Sequence, residues 1–238
     1  MWTPCALASE ARGYRGAIVR IVEAQHRIST NRLAASAADQ ALLEQLADTV
    51  KPALPKEARP LPWLLASPFR YGFGRPSRFR AGDVLPGIFY ASEAIETAVR
   101  EAAYWRLLGF ARSPGFQRPV SPTPMSAFAV DLATDRLLDL TLGAFAEPAG
   151  RWTHPTDYGP TQQLAAAARL AGIAAIRAPS VRHADGINLA VLAPATLIPP
   201  PRAHSSWAFL ATIDGLLVTR EMSDQAFRFT ADDFGITP

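Results

Sequence analysis

Gly87-Ile88-Phe89-Tyr90-Ala91-Ser92-Glu93-Ala94-Ile95-Glu96-Thr97-Ala98-Val99-Arg100-Glu101-Ala102 joins a short apolar run to a segment of helical period, and its reading decides the fold. Residues 87–90 have the apolar, aromatic character of a buried strand. Ser92 is placed to cap the helix that follows, with Glu93 in its first turn favouring the dipole. On that helix Ile95, Ala98, Val99 and Ala102 share a face, while Glu96 and Arg100 form an exposed pair four residues apart. Glu101 falls on the flank beside Ala94, Ala98 and Trp105, where small neighbours leave room for its carboxylate to lie along the core edge in a cleft. A solvated flank Glu is the alternative on spacing alone, since this residue is seldom buried without a partner.

Working outward, Phe128, Val130 and Leu132 alternate as a half-buried strand, which residues 136–140 continue or pair with. Pro160 suits the first turn of a second helix, Leu164, Ala167, Ala168 and Ala171 supply its small-residue face, and Gly172 stops it. Residues 173–176 read as a strand running into Pro179-Ser180, and residues 186–192 as another. Residues 207–213, Asp214-Gly215 and residues 216–219 predict a hairpin with a type I′ turn. Upstream, helical patterns centre on Ile18, Ile21 and Val22 and then on Leu42, Leu43 and Leu46, before Pro52, Pro55, Pro60 and Pro62 break the chain. The expected class is α+β: a mixed-sheet domain over residues 63–238, preceded by an N-terminal helical extension and Pro-rich connector over residues 1–62. Helices that simply cover one face of the main core are the alternative for that extension.

With 238 residues, 49% hydrophobic and 19% charged, the chain supports a sizeable core and is far from the composition of disorder. Lys occurs only at Lys51 and Lys56, so arginine carries the formal charge of +3; no basic run or helix-turn-helix signal marks a direct nucleic-acid partner. Cys5 is the sole cysteine, which excludes an intrachain disulfide and a CxxC site. His26, His154, His183 and His204 lack ligand spacing, so no metal is expected. The start, Met1-Trp2-Thr3-Pro4-Cys5, has no basic segment followed by an apolar run, and no stretch approaches a membrane span; a cytoplasmic location is expected. Walker, Rossmann, Gly-x-Ser-x-Gly and His-Glu-x-x-His patterns are missing.

What remains is an ordered constellation: Phe69-Arg70-Tyr71; Arg75-Pro76-Ser77-Arg78-Phe79-Arg80; Ile88-Phe89-Tyr90-Ala91-Ser92; Thr97-Ala98-Val99-Arg100-Glu101; and Ala178-Pro179-Ser180 with Asn188. In this order and spacing the chain resembles the RES domain family, whose name records an Arg, a Glu and a Ser, over roughly residues 65–192. One element departs from the common family form, which has two glycines before the arginine and Trp-Asn after it. Here Pro76-Ser77 precedes Arg78 and Phe79-Arg80 follows, so Arg78 and Arg80 compete for the role, and the aromatic Phe79 favours Arg78.

The resemblance implies a fold similar to ADP-ribosyltransferase toxins and a substrate, NAD⁺, whose nicotinamide–ribose bond is broken without a metal. It implies the toxin of a type II toxin–antitoxin module with an Xre-type antitoxin as partner, and transfer of the ADP-ribosyl group to a protein acceptor, water or phosphate. A catalytically silent nucleotide- or partner-binding module of the same fold is the alternative. The chemistry suits the residue types: a ribosyl cation calls for a carboxylate, Glu101, and a pyrophosphate for guanidinium forks, Arg70 and Arg78. Tyr90, and similarly Tyr71, is expected to stack on or orient nicotinamide. Ser180 is expected to address a ribose or phosphate, and Asn188 the nicotinamide amide or the Ser180 loop. Trp152, Asp157 and Tyr158 are candidates for the acceptor side.

Overall fold

Arg12 to Glu23 is rich in β-branched and small residues, and in the computed structural model it is a strand at the centre of the fold. The structure describes residues 2–24, 36–71, 76–82, 84–113, 115 and 117–236. In chain order the elements are α1 (Pro4–Ser9), β1 (Arg12–Glu23), α2 (Ala37–Val50), α3 (Trp63–Arg70), β2 (Phe89–Ser92), α4 (Ile95–Ala111) and β3 (Thr123–Asp139). They continue with α5 (Ala149–Trp152), α6 (Gly159–Leu170), β4 (Ala175–Pro179), β5 (Ile187–Val191), β6 (Leu197–Ala211), β7 (Leu216–Arg220) and β8 (Ala226–Phe229). The class is α+β with a mixed sheet, as the sequence predicts.

The strands run β1-β2-β5-β4-β3-β6-β7-β8, and β1 pairs again with β3. That extra pairing closes β1, β2, β5, β4 and β3 into a ring, from which β6, β7 and β8 branch off β3. Closure is uneven: β1 and β3 pair along nearly their whole lengths, whereas β1 touches β2 only at Val19↔Ser92. Arg20 bridges this seam. Its Nη1 donates to Tyr90 O at 2.7 Å, its guanidinium lies 5.1 Å from the Phe89 ring centroid, and burial lowers its pKa to about 10.

The ring encloses its own apolar core of Ile18, Phe89, Phe128, Val130, Leu132, Ala175, Leu189 and Val191. Leu65, Ala66 and Phe69 of α3 plug one end, and Leu54, Ala58 and Leu61 of the preceding Pro-rich stretch pack beside them. Polar groups close the other end. Arg177 grips Glu93 with Nε–Oε1 at 2.8 Å and Nη2–Oε2 at 3.0 Å, and its Nη1 reaches Asp139 at 3.2 Å and Thr141 Oγ1 at 2.8 Å. Tyr14 donates its hydroxyl to Glu93 at 3.1 Å. The hydrogen bonds to Glu93 hold Arg177 firmly protonated, while burial and then Glu93 push the Tyr14 pKa up. Outside the ring, α4 covers β1, β3, β6 and β7 through Val99, Ala103 and Leu107, and α1, α5 and α6 cover β4 and β5.

Four expectations are corrected. The pattern around Ile18, Ile21 and Val22 is strand, not helix: Ile18 and Val22 face the ring interior while Val19 and Ile21 face the α4 side. A strand buried on both faces has no alternation, so its apolar run also satisfies a helical period. Of the described residues in the expected N-terminal helical extension, Arg12–Glu23 supply a ring strand and Leu54, Ala58 and Leu61 part of its plug, while the second helical pattern does form α2. Ser92 does not cap α4, whose N-cap is Ala94, and Glu93 lies outside the helix because Arg177 and Tyr14 claim it. The β6–β7 hairpin forms, but without a type I′ turn, since neither Asp214 nor Gly215 has a positive φ. Gly215 is needed for a different reason: a Cβ there would lie 2.0 Å from Phe229 O.

Removing Arg177 leaves two carboxylates facing each other at the ring mouth. Side-chain exposures of 22% for Arg177 and 29% for Glu93 soften the loss relative to a fully buried pair. Arg177→Met is expected to lower unfolding stability by about 2–4 kcal/mol in chemical denaturation; an unchanged midpoint would show that the network does not hold the ring shut.

Candidate active site

Glu101 sits one and a half turns into α4, where the helix passes the C-terminal end of β4 and the start of β5. Its Oε1 accepts from Ser180 Oγ at 2.7 Å and from Asn188 Nδ2. Ser92 Oγ donates to Asn188 Oδ1 at 2.7 Å, which fixes the orientation of the amide: oxygen toward Ser92, nitrogen toward Glu101. A continuous chain of hydrogen bonds thus runs from β2 through β5 to α4 and back to the end of β4. Among the described residues Oε2 has no hydrogen-bond partner, and Glu101 lines a cleft on both of its sides.

The cleft has two lobes that share Tyr90, Glu101 and Trp105. One, of about 240 Å³, opens over the β1–β2 seam and is lined by Arg20, Ile21, Ser92, Ala98 and Asn188. The other, of about 290 Å³, is lined by Ser77, Arg78, Tyr104, Tyr158, Val181 and Arg182. Trp105 is 49% exposed, an unusual position for an indole, at the junction of the two.

Arg78 is held by backbone rather than by acids. Nε and Nη2 donate to Trp152 O at 3.1 and 2.8 Å, and Nη1 donates to Pro179 O at 2.8 Å. A guanidinium has five N–H groups, so among the described residues two are left without a partner. Burial depresses its pKa, and the nearby Glu101 charge partly opposes this. Its loop is a tight turn closed by Ser77 N to Arg80 O at 2.8 Å and Arg80 N to Ser77 O at 3.1 Å. Thr161 Oγ1 donates to Arg78 O, and Gln162 Nε2 to Ser77 O at 2.9 Å, so the start of α6 clamps this turn. Between the two competing arginines the geometry separates the roles: Arg80 is buried and donates to Ala81 O and Val84 O of its own loop.

Tyr90 lines both lobes, and its hydroxyl is engaged in holding the same turn. It lies 2.9 Å from Ser77 Oγ and accepts from Phe79 N at 3.1 Å. Burial raises its pKa. Ser180, Asn188, Arg78, Tyr90 and Glu101 therefore converge. Arg70 and Tyr71 do not join them: they form the end and C-cap of α3, next to residues outside the described set, and line neither lobe. Arg75 lies outside the described residues. Of the acceptor-side candidates, Tyr158 lines the second lobe, Asp157 Oδ1 accepts from Gly159 N, and Trp152 is a core residue whose carbonyl serves Arg78.

Several supporting contacts escape sequence reading. Thr97, fully buried, meets His183 Nδ1 at 2.9 Å and so ties the β4–β5 loop to α4. The approach is close enough that a Cβ on Gly186 would lie 2.8 Å from Thr97 Oγ1. Thr161, Gln162 and Arg20 carry no local motif, since their partners are distant in the chain; only their polarity within apolar surroundings marks them.

The RES domain family model matches residues 54–211, a span that contains every converging residue of the site. Among solved structures, a chain in the crystal structure of the M. tuberculosis MbcT–MbcA toxin–antitoxin complex is similar with a TM-score of 0.48 and 14% identity, covering 86% of this chain and 92% of that one. No curated protein sequence matches the chain.

Ser92→Ala removes the donor that orients the Asn188 amide and leaves its Oδ1 without that partner. The expected cost is about 1–2 kcal/mol in denaturant unfolding, with a larger loss for Asn188→Ala, which strips a donor from a carboxylate. Equal, negligible losses would mean that the chain of hydrogen bonds is not formed in solution.

Proposed function

The chain belongs to the RES domain family, and on that premise we propose that it breaks the nicotinamide–ribose bond of NAD⁺ and passes the ADP-ribosyl group to an acceptor. The observation that carries this reading is the asymmetric state of Glu101: one carboxylate oxygen is fixed by Ser180 and Asn188, and the other is unengaged beside the cleft. A fixed carboxylate with an available oxygen is suited to anchor a ribose hydroxyl and to stabilise positive charge as it develops on the ribose.

In the reaction the C–N bond breaks, its electron pair leaves with nicotinamide, and the ribosyl carbon becomes cationic. A nucleophile then forms the new bond to that carbon and gives up its proton; water, phosphate and a protein side chain each satisfy this balance. Preorganisation lowers the barrier because Ser180 and Asn188 already hold the carboxylate, so little reorganisation remains as charge develops. Arg78, with two N–H groups in reserve, suits the substrate's pyrophosphate. The two lobes together reach the size range of ligand pockets, about 300–1,000 Å³. Tyr90 and Trp105, shared between them, offer aromatic surface to a planar ring. In the cell the protein acts as the toxin of a toxin–antitoxin pair, with an Xre-type antitoxin as partner, as the family resemblance implies.

Glu101→Gln keeps the size of the side chain and its Ser180 contact while deleting the charge. Nicotinamide release from NAD⁺ is expected to fall roughly 10²- to 10³-fold, and growth inhibition to disappear, with circular dichroism unchanged. Retained turnover in the folded variant would remove the mechanism, and NAD⁺ binding by the unaltered protein without nicotinamide release would make it a silent nucleotide-binding module. Co-expression of the neighbouring antitoxin is expected to restore growth; persistent inhibition despite its expression would count against the pairing.

A further inference from the structure

The loop between β4 and β5 carries a second arginine, Arg182, into the lobe that holds Arg78 and Glu101. Its guanidinium carbon lies 3.5 Å from the centroid of the buried Tyr104 ring, and Nη2 donates to Pro155 O at 2.6 Å. Stacking on a ring that cannot move fixes the plane of the fork and keeps the remaining N–H groups within that plane. Three contacts hold the loop in place. Ser180 N donates to Gly186 O at 2.6 Å, Arg182 N donates to Ser180 Oγ at 3.1 Å, and His183 meets Thr97 on α4. The same Ser180 hydroxyl donates to Glu101, so the position of Arg182 is coupled to that of the carboxylate.

Two guanidinium groups therefore line one lobe, and among the described residues neither has an ion-pair partner. Burial is the main cost to the Arg78 cation, Glu101 offsets part of it, and the Arg182 charge adds only a small further cost. Glu101 is the one acid among the described lining residues of this lobe, so two cations outnumber it and a further anion is favoured there. The two forks come from separate elements, the turn at residues 77–80 and the loop at residues 180–186, and each retains N–H donors. Two independently held forks match two adjacent phosphate groups better than one small carboxylate.

We propose that Arg182 and Arg78 form a two-armed clamp for the pyrophosphate of a dinucleotide, with Arg182 in the role that the sequence suggests for Arg70. The clamp deepens the reading of this cleft as an NAD⁺ site and rests on it. Its ligand chemistry is nevertheless testable alone, with inorganic pyrophosphate as the probe.

Titration calorimetry of the full chain with pyrophosphate is expected to show binding that weakens roughly 10- to 100-fold in Arg182→Gln and is partly kept in Arg182→Lys. In steady-state nicotinamide release from NAD⁺, Arg182→Gln is expected to raise KM by a similar factor and to change kcat by less than ~3-fold, because the contact is made equally in ground and transition states. Unchanged pyrophosphate affinity in Arg182→Gln, or no pyrophosphate binding by the unaltered protein, overturns the clamp. So does a collapse of kcat at constant KM, which would assign Arg182 to positioning the Ser180 loop. Pyrophosphate binding that depends on Arg182 in a protein releasing no nicotinamide would keep the clamp and remove the NAD⁺ reading.

Discussion

The hydrogen bonds from Ser180 and Asn188 to a single oxygen of Glu101 hold together parts of the chain that have little else in common. α4 packs on one side of the sheet and β4 with β5 on the other flank of the ring, and these two bonds fasten the helix to the strand ends. Each is charge-assisted, worth about 1.5–3 kcal/mol where the carboxylate stays ionised. The consequence for function is the same contact seen from the cleft: a carboxylate that is not free to rotate presents one oxygen in a defined place. Supporting residues follow from it. Ser92 orients Asn188, Thr97 and His183 hold the loop that carries Ser180, and Arg182 rides on that loop.

Ring closure supplies the frame for this arrangement. β1 contributes almost nothing to β2 by backbone pairing, meeting it at one position, yet the cleft opens over that seam. A fully paired seam would fill that cleft with backbone. The cost of leaving it open is an unpaired Tyr90 carbonyl, which Arg20 satisfies at 2.7 Å. Arg177 plays the corresponding part at the ring mouth, neutralising Glu93 and Asp139 where an aliphatic residue would leave them without that cation. Polar groups thus sit where the ring is incomplete, and apolar ones fill the rest.

Legibility in the sequence followed the range of the interactions. The strand–helix unit over residues 87–111, the second helix and the β6–β7 pairing depend on local pattern, and all are present. Glu101, Arg78, Tyr90, Ser180 and Asn188 converge as their ordered spacing suggests, although Tyr90, Ser180 and Asn188 spend their polar atoms on the protein instead of reaching openly into the cleft. β1 was illegible because burial on both faces erases alternation. Ser92 and Glu93 look like helix-capping residues in isolation and are claimed by Asn188 and Arg177, whose positions only the folded chain reveals. Arg182 stands two residues after Ser180 without a motif of its own, and its stack on Tyr104 spans two elements.

The most direct test of the account is a crystal structure of the Glu101→Gln protein with intact NAD⁺ bound. The nicotinamide-bearing ribose is expected within hydrogen-bond distance of the side chain at position 101, on the side away from Ser180, and the pyrophosphate within reach of Arg78. A dinucleotide bound elsewhere on the molecule, or seated in this cleft with its ribose turned away from position 101, would contradict it.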